Sequence, residues 1–214
     1  MRYIRILHVF IIGVFLSSCA TGTVEPNFSF SAENETLVVL KARELGKTVL
    51  AFREVDLENK KFSKGNFSIA LNDWLASRKL TSAQPPVPGG AEFYATKASA
   101  GDYAYILKWE HIPTKTTVTC FSLGTVVFRI IPGKINLLDF SGIRDLRGLD
   151  PDIRRGITPS NGDDLKNVLA AYPNVKGEVV TVKAVAAIKF EGHSVLFGSS
   201  CPVGNSLEVI ARPK

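Results

Sequence analysis

The sequence predicts a mainly β fold: an antiparallel β-sandwich with one short inserted helix near residues 161–172. The composition favours strands over helices, because the chain has 13 Phe and many Val and Ile but only one Met. Runs of alternating apolar and polar residues recur, separated by turn residues about every 8–12 positions, the spacing of a sandwich or barrel. A single helical period interrupts this pattern.

The first strands follow from apolar or alternating runs on either side of turn residues. Residues 37–42 and 48–56 flank Gly46 and indicate a hairpin, and residues 67–71 alternate as a third strand. Residues 77–90 contain three prolines and a glycine pair. We therefore expect a loop there rather than a central strand.

The middle of the chain has the clearest strand pattern. Residues 103–111 alternate strictly, and we expect the large aromatic residues on one face to be buried in the core. The alternative is an exposed aromatic row that stacks on sugars or contacts a partner. This face carries Tyr103, Tyr105, Leu107, Trp109 and His111.

Three short runs, residues 116–121, 125–131 and 135–140, continue the sheet as a meander. Pro132-Gly133 fits a type II turn before the last of them. The polar residues 143–162 then break the pattern and predict a loop.

One helix is predicted at residues 163–172, where apolar side chains recur at helical spacing. Ser160 or Asn161 can cap its start, and Pro173 ends it. Its apolar face carries Leu165, Val168, Leu169 and Tyr172. Alternation then predicts further strands over residues 179–190, 195–197 and 207–211.

The start of the chain has the features of a targeting signal. Arg2 and Arg5 precede an apolar run, residues 6–16, which is shorter than the roughly 20 residues that cross a bilayer. Leu16-Ser-Ser-Cys19 resembles the lipobox of bacterial lipoprotein signal peptides. The resemblance implies that residues 1–18 are removed and that Cys19 is lipidated, with two or more acyl chains as a stable membrane anchor.

The remaining chain divides into a flexible tether, residues 19–35, and a single domain, residues 36–214. The segments SAGDYAYIL, VVFRIIPGKINLLDFSG and DDLKNVLAAYP make the domain similar to uncharacterised β-sandwich lipoproteins of Gram-negative envelopes. Ala20 resembles the residue that directs lipoproteins to the outer membrane. Together these resemblances imply an outer-membrane protein that faces the periplasm.

Two cysteines remain once Cys19 is lipidated. In an oxidising compartment such a pair is more often bonded than free, so Cys120 and Cys201 are a candidate disulfide. Two separate buried thiols, or one reactive thiol, are the alternatives.

Four arginines occur close together in the predicted loop, with aspartates between them. Arginine binds carboxylate and phosphate bidentately, so the loop is a candidate site for an anionic envelope component or an acidic partner. The alternative is a solvated loop whose charges neutralise one another. The arginines are Arg144, Arg147, Arg154 and Arg155.

The sequence contains no recognisable catalytic or metal site, and we expect no cofactor. His111 and His193 lack helical pairing, and residues 192–196, GHSVL, depart from the G-x-S-x-G motif at its last position. Lys and Arg form no dense block, so no nucleic-acid partner is expected.

These features predict a non-catalytic binding or scaffolding module that is held in the cell envelope by its lipid. The alternative is a periplasmic, hydrolase-like enzyme in which His111 or His193 meets a carboxylate or serine hydroxyl from a distant part of the chain. A third hypothesis is ligand carriage in an apolar cavity inside a barrel.

Overall fold

The computed structural model describes residues 29–33, 35–43, 47–71, 91–112, 114–155, 157–192, 201 and 203–213. The strands are β1 (Leu37–Arg43), β2 (Lys47–Asp56), β3 (Lys61–Leu71), β4 (Ala91–Lys97), β5 (Gly101–Ile112), β6 (Lys115–Cys120), β7 (Thr125–Ile130), β8 (Ile135–Asp139), β9 (Val179–Gly192) and β10 (Val203–Ala211). Between β8 and β9 lie two short 3-10 helices, Ser141–Asp145 and Pro151–Arg154, and the helix α1, Asp164–Ala171.

The strands form one mixed sheet that is mostly antiparallel. Its order is β10, β3, β2, β5, β7, β9, β8, β1 and β4, with β6 paired to β5 and β10 also paired to β9. The pairings of β1 with β8 and of β8 with β9 are parallel. The predicted mainly β fold with one short helix is confirmed, and its parallel strands were not anticipated from the sequence.

The long strand β9 joins the two halves of the sheet. Residues 179–183 pair with β8, whereas residues 184–188 pair with β7. The largest apolar cluster takes side chains from both halves, such as Leu40 of β1 and Phe52 of β2, and so forms a shared core. A second cluster fills the space between β1, β4, β8 and α1.

The predicted hairpin of residues 37–42 and 48–56 is wrong. β1 pairs with β4 and β8, whereas β2 pairs with β3 and β5. Residues 37–40 are buried on both faces of the sheet, so β1 needs neighbours on both sides and cover on both faces. β4, which was missing from the predicted strands, is one of these neighbours.

A β-bulge interrupts the strict alternation predicted for β5. Adjacent residues Ala51 and Phe52 of β2 pair with Leu107 and Tyr105, so Ile106 is an extra residue in β5. A one-residue shift moves every later side chain to the opposite face. The single aromatic face predicted for residues 103–111 is therefore wrong.

The bulge separates the aromatic residues of β5. Tyr103 and Tyr105 are buried in the main core, as predicted, but Trp109 and His111 lie half-buried on the other face. Lys108, which strict alternation would place on the face opposite Tyr103 and Tyr105, is buried on the core side instead.

The predicted helix is confirmed as α1, but its start differs from the expected cap. Asp163 is the N-cap residue and its own side chain makes no capping hydrogen bond, but Oδ1 of Asn161, one of the two predicted caps, accepts the N–H of Asp163 at 3.1 Å. The next residue, Asp164, is completely buried and pairs with Lys41 of β1. The buried carboxylate thus ties the helix to the sheet.

Several predictions fall outside the described residues. These are the signal and lipidation site, the loop at residues 77–90 and the strand at residues 195–197. Near the end of the predicted tether, Phe30 is buried and pairs with Val175. The described helices include none that is long and apolar enough to cross a membrane.

Candidate functional site

The arginines lie on the segment between β8 and α1, residues 141–157. This segment packs at the C-terminal ends of β1 and β8. Ile157 pairs with Ala42, and the N–H of Thr158 donates to the carbonyl of Lys41 at 3.0 Å. The segment is therefore fixed to the edge where these parallel strands end.

Four apolar side chains anchor the segment in the main core. They are separated by charged residues at irregular intervals, so no strand or helix period indicated them. All four are buried, which is unlike a fully solvated loop. They are Ile143, Leu146, Ile153 and Ile157.

A contact between two glycines fixes the centre of the segment. A Cβ atom on Gly124, in the β6–β7 turn, would lie 1.9 Å from the carbonyl oxygen of Gly148. The N–H of Asp150 also donates to the Gly124 carbonyl at 3.0 Å. Gly148 itself has a φ of 77°, which favours glycine.

We expect Gly124→Ala to lower the free energy of unfolding by about 2–3 kcal/mol, because the added methyl group would meet backbone atoms that cannot move cheaply. Gly142→Ala, in the same segment, is the matched control, since a Cβ there has no atom within 4 Å. Urea unfolding of both variants measures the difference. Equal stability of the two variants would contradict the glycine contact.

A buried lysine supports the end of the segment. Nζ of Lys108 lies 3.4 Å from the carbonyl oxygen of Arg155 and 3.1 Å from Oε2 of Glu110. The Lys108 side chain is 1% exposed and that of Glu110 is 12% exposed. Because a buried ammonium needs partners, this arrangement holds the backbone of Arg155 against β5.

Two buried hydroxyl groups lie on the same core face as Lys108. Burial raises the pKa of Tyr105 well above its usual range, and the negative charge of Glu110 raises it further. Thr48 pairs with Glu110 across β2 and β5. Within the described part of the chain, neither Oη of Tyr105 nor Oγ1 of Thr48 has a hydrogen-bond partner.

Arg147, Arg154 and Arg155 are exposed on this anchored segment, and we call these three the arginine face. Among the residues that the structure describes, no carboxylate pairs with any of them. Asp150 instead accepts the N–H of Asp152 at 2.9 Å and caps the second 3-10 helix. The three guanidinium groups therefore remain available to an anion.

The side chain of the fourth arginine, Arg144, lies outside what the structure describes, as does that of Asp145. The structure therefore shows three of the four predicted arginines exposed on one anchored segment. The position of the Arg144 side chain is not described. The neutralising aspartates of the alternative hypothesis do not pair with these three among the described residues.

The predicted disulfide joins Cys120, at the end of β6, to Cys201, just before β10. Their Cα atoms are 5.6 Å apart, within the range of protein disulfides, and 81 positions separate them in sequence. The bond therefore spans β7, β8, the arginine-bearing segment, α1 and β9.

Of the two histidines named in the enzyme alternative, His111 contacts a threonine hydroxyl rather than the expected carboxylate or serine hydroxyl. Nδ1 of His111 lies 2.7 Å from Oγ1 of Thr116, and its ring stacks on Trp109 at a centroid distance of 5.9 Å. His193 lies outside the described residues. The described part of the chain contains no group of three His, Cys, Asp or Glu side chains that could hold a metal ion.

A pocket of about 610 Å³ lies at the opposite end of the sheet, near the predicted tether. Its lining includes Glu35, Thr36, Lys97 and Ser99 but no histidine. Lys97 donates to Glu35 and lowers the pKa of that carboxyl group, as does the N–H of Ser31. Two of the charged groups that line this pocket, Glu35 and Lys97, are thus paired with each other.

The chain matches no protein-family model, no curated protein and no solved structure. The arginine face and the buried lysine beneath it therefore have to be interpreted from their own chemistry.

Proposed function

We propose that this protein is a lipid-anchored envelope protein that binds or scaffolds another envelope component without catalysis. The supporting observation is which of its three cysteines form a disulfide and which one is left over. Cys120 and Cys201 form the disulfide, so Cys19 is left as the odd cysteine at the end of the lipobox-like Leu16-Ser-Ser-Cys19. A disulfide also suits an oxidising compartment such as the periplasm.

The arginine face is the proposed contact with an anionic component. Arg147, Arg154 and Arg155 are exposed on a backbone that is anchored by buried side chains, so little conformational freedom of the backbone is lost on binding. A guanidinium group binds a carboxylate or phosphate through two parallel hydrogen bonds. Outer-membrane attachment with the domain in the periplasm would place this face among such groups.

One observation favours the second candidate, a periplasmic hydrolase-like enzyme. Lys108, Glu110 and the unpartnered hydroxyl of Tyr105 lie on one face of β5, and buried ionisable clusters occur in active sites. Hydrolysis of a nitrophenyl ester that is lost in Glu110→Gln but retained in Glu178→Gln, an exposed control, would support the enzyme. Absence of hydrolysis by the wild-type protein supports the binding module.

We expect Cys19→Ser to accumulate as an unprocessed precursor that incorporates no labelled palmitate, because serine lacks the thiol that carries the lipid. Ser18→Ala, which keeps a small residue before the cysteine, is the matched control and should label like the wild type. Gel mobility and palmitate labelling in cells measure both. A Cys19→Ser protein that matures normally would contradict lipidation.

A further inference from the structure

We propose that the arginine face, together with the neighbouring Leu123, is a docking surface for an acidic protein segment that carries an apolar side chain. This inference rests on the proposed function and names the chemistry of the partner. It depends on three features of the structure: where the face lies, which charges are free and what apolar group adjoins them.

The arginine face lies at the end of the domain that is opposite the tether. The chain leaves the predicted tether at the start of β1, where the N–H of Leu37 donates to the carbonyl of Lys134. Residue 157 pairs with Ala42 at the other end of β1, five residues along the strand and so roughly 17 Å away. A partner on this face therefore lies on the side of the domain away from the lipid anchor.

The exposed guanidinium groups on this face favour a negatively charged partner. Arg147, Arg154 and Arg155 have no carboxylate partner among the described residues, and the carboxylate of Asp150 accepts the N–H of Asp152 rather than pairing with a guanidinium group. Carboxylates match the planar geometry of guanidinium groups. Acidic side chains of a partner would pair with these exposed guanidinium groups.

An exposed leucine next to the arginines distinguishes a protein partner from a charged polysaccharide. Leu123 is 75% exposed, the most exposed large apolar side chain of the described residues. It precedes Gly124, which contacts Gly148, and Arg147 precedes Gly148. Burial of a leucine against another apolar side chain contributes up to about 2 kcal/mol, and arginine is enriched in protein interfaces.

The first test uses residues 19–214 of the protein in detergent micelles and two labelled peptides, one with glutamates on both sides of a leucine and one with serine in its place. We expect the triple variant Arg147→Gln/Arg154→Gln/Arg155→Gln to weaken binding of both peptides about tenfold or more. Leu123→Ser should weaken binding of the leucine peptide about threefold or more and leave the serine peptide unchanged. The matched control Lys176→Gln, exposed at the tether end, should have no effect.

The same variants also separate a protein partner from a lipid one. If vesicles of anionic lipid bind with the same dependence on the arginines and Leu123, and the peptides do not, the surface binds membrane and the inference is overturned. Because all substituted side chains are exposed, their unfolding midpoints should match the wild type. Failure of palmitate labelling at Cys19 would refute the anchor without affecting these peptide measurements.

A second test identifies the partner in intact envelopes. A photo-crosslinking amino acid at Asp152 should give an adduct with an acidic protein segment, and the triple arginine variant should abolish it. The same amino acid at Lys176 should not give that adduct. An adduct with lipid or polysaccharide, or one that persists in the triple variant, would overturn the inference.

Discussion

Lys41→Met is expected to lower the free energy of unfolding by about 3–5 kcal/mol, because it leaves a buried carboxylate without its partner. Nζ of Lys41 lies 2.9 Å and 3.0 Å from the two carboxylate oxygens of Asp164. These side chains are only 4% and 1% exposed, so water cannot replace the lost ammonium. Urea unfolding monitored by far-UV and near-UV circular dichroism measures the loss.

Two comparison variants isolate the effect of burial. Lys134→Met removes the exposed pair with Glu178 and should cost less than about 1 kcal/mol. The double variant Lys41→Met/Asp164→Leu should recover most of the lost stability, because no buried charge remains. Recovery should be incomplete, since Asp164 also accepts the N–H of Asn161 at 2.7 Å. A cost for Lys41→Met no greater than that for Lys134→Met would contradict the role of the buried pair.

The sequence predicts the fold class well because strands and turns have strong local signals. Pro132-Gly133 is such a signal: Gly133 has a φ of 66°, as a type II turn requires. The helical period at residues 163–172 likewise predicts α1. Each of these features depends on side chains that are close together in the chain.

The features that the sequence does not predict depend on contacts between distant residues. Ile106 becomes a bulge only because β2 and β5 pair in one register, and nothing in residues 103–111 marks it. The parallel pairing of β1 with β8 joins residues about a hundred positions apart. Local alternation contains no information on either.

The candidate site likewise combines residues that a local sequence pattern predicts with contacts between distant residues that it does not predict. Arg147, Arg154 and Arg155 were predicted as a candidate site from residue type and clustering alone. The buried side chains that hold the backbone of their segment in place were not predicted. Strict alternation would place Lys108 on the face opposite Tyr103 and Tyr105. Only the bulge turns it inward, where it meets the carbonyl of Arg155.

Two buried lysines contact the segment that carries the arginine face. Lys41 and Lys108 are both buried, and both contact the C-terminal end of the segment that carries the arginine face: the backbone carbonyl of Lys41 accepts the N–H of Thr158, and the ammonium group of Lys108 donates to the carbonyl of Arg155. Loss of the Lys108 ammonium group should therefore displace Arg155 as well as lower stability, whereas Lys41→Met keeps the carbonyl that accepts from Thr158. A Lys108 variant would therefore change both stability and the position of Arg155, whereas substitution of the exposed arginines changes only the charge of the face.

Removal of the disulfide should have an effect of similar size. Cys120→Ala/Cys201→Ala is expected to lower the free energy of unfolding by about 4.5 kcal/mol, because a bond across 81 positions restricts the unfolded chain strongly. Denaturant unfolding of the purified protein, with and without reductant, measures the loss. Reductant should destabilise the wild type to the level of the double variant and leave that variant unchanged.

This comparison also bears on the compartment in which the domain folds. The arginine-bearing segment and α1 both lie within the loop that the disulfide closes, so the reduced chain must find the parallel pairing of β8 with β9 without that constraint. Protein retained in the cytoplasm by deletion of residues 1–18 should therefore accumulate at lower levels than the exported protein, and the double variant should remove this difference. Equal stability of oxidised and reduced wild type would show that the bond contributes nothing to folding, and the disulfide would then no longer support an oxidising location.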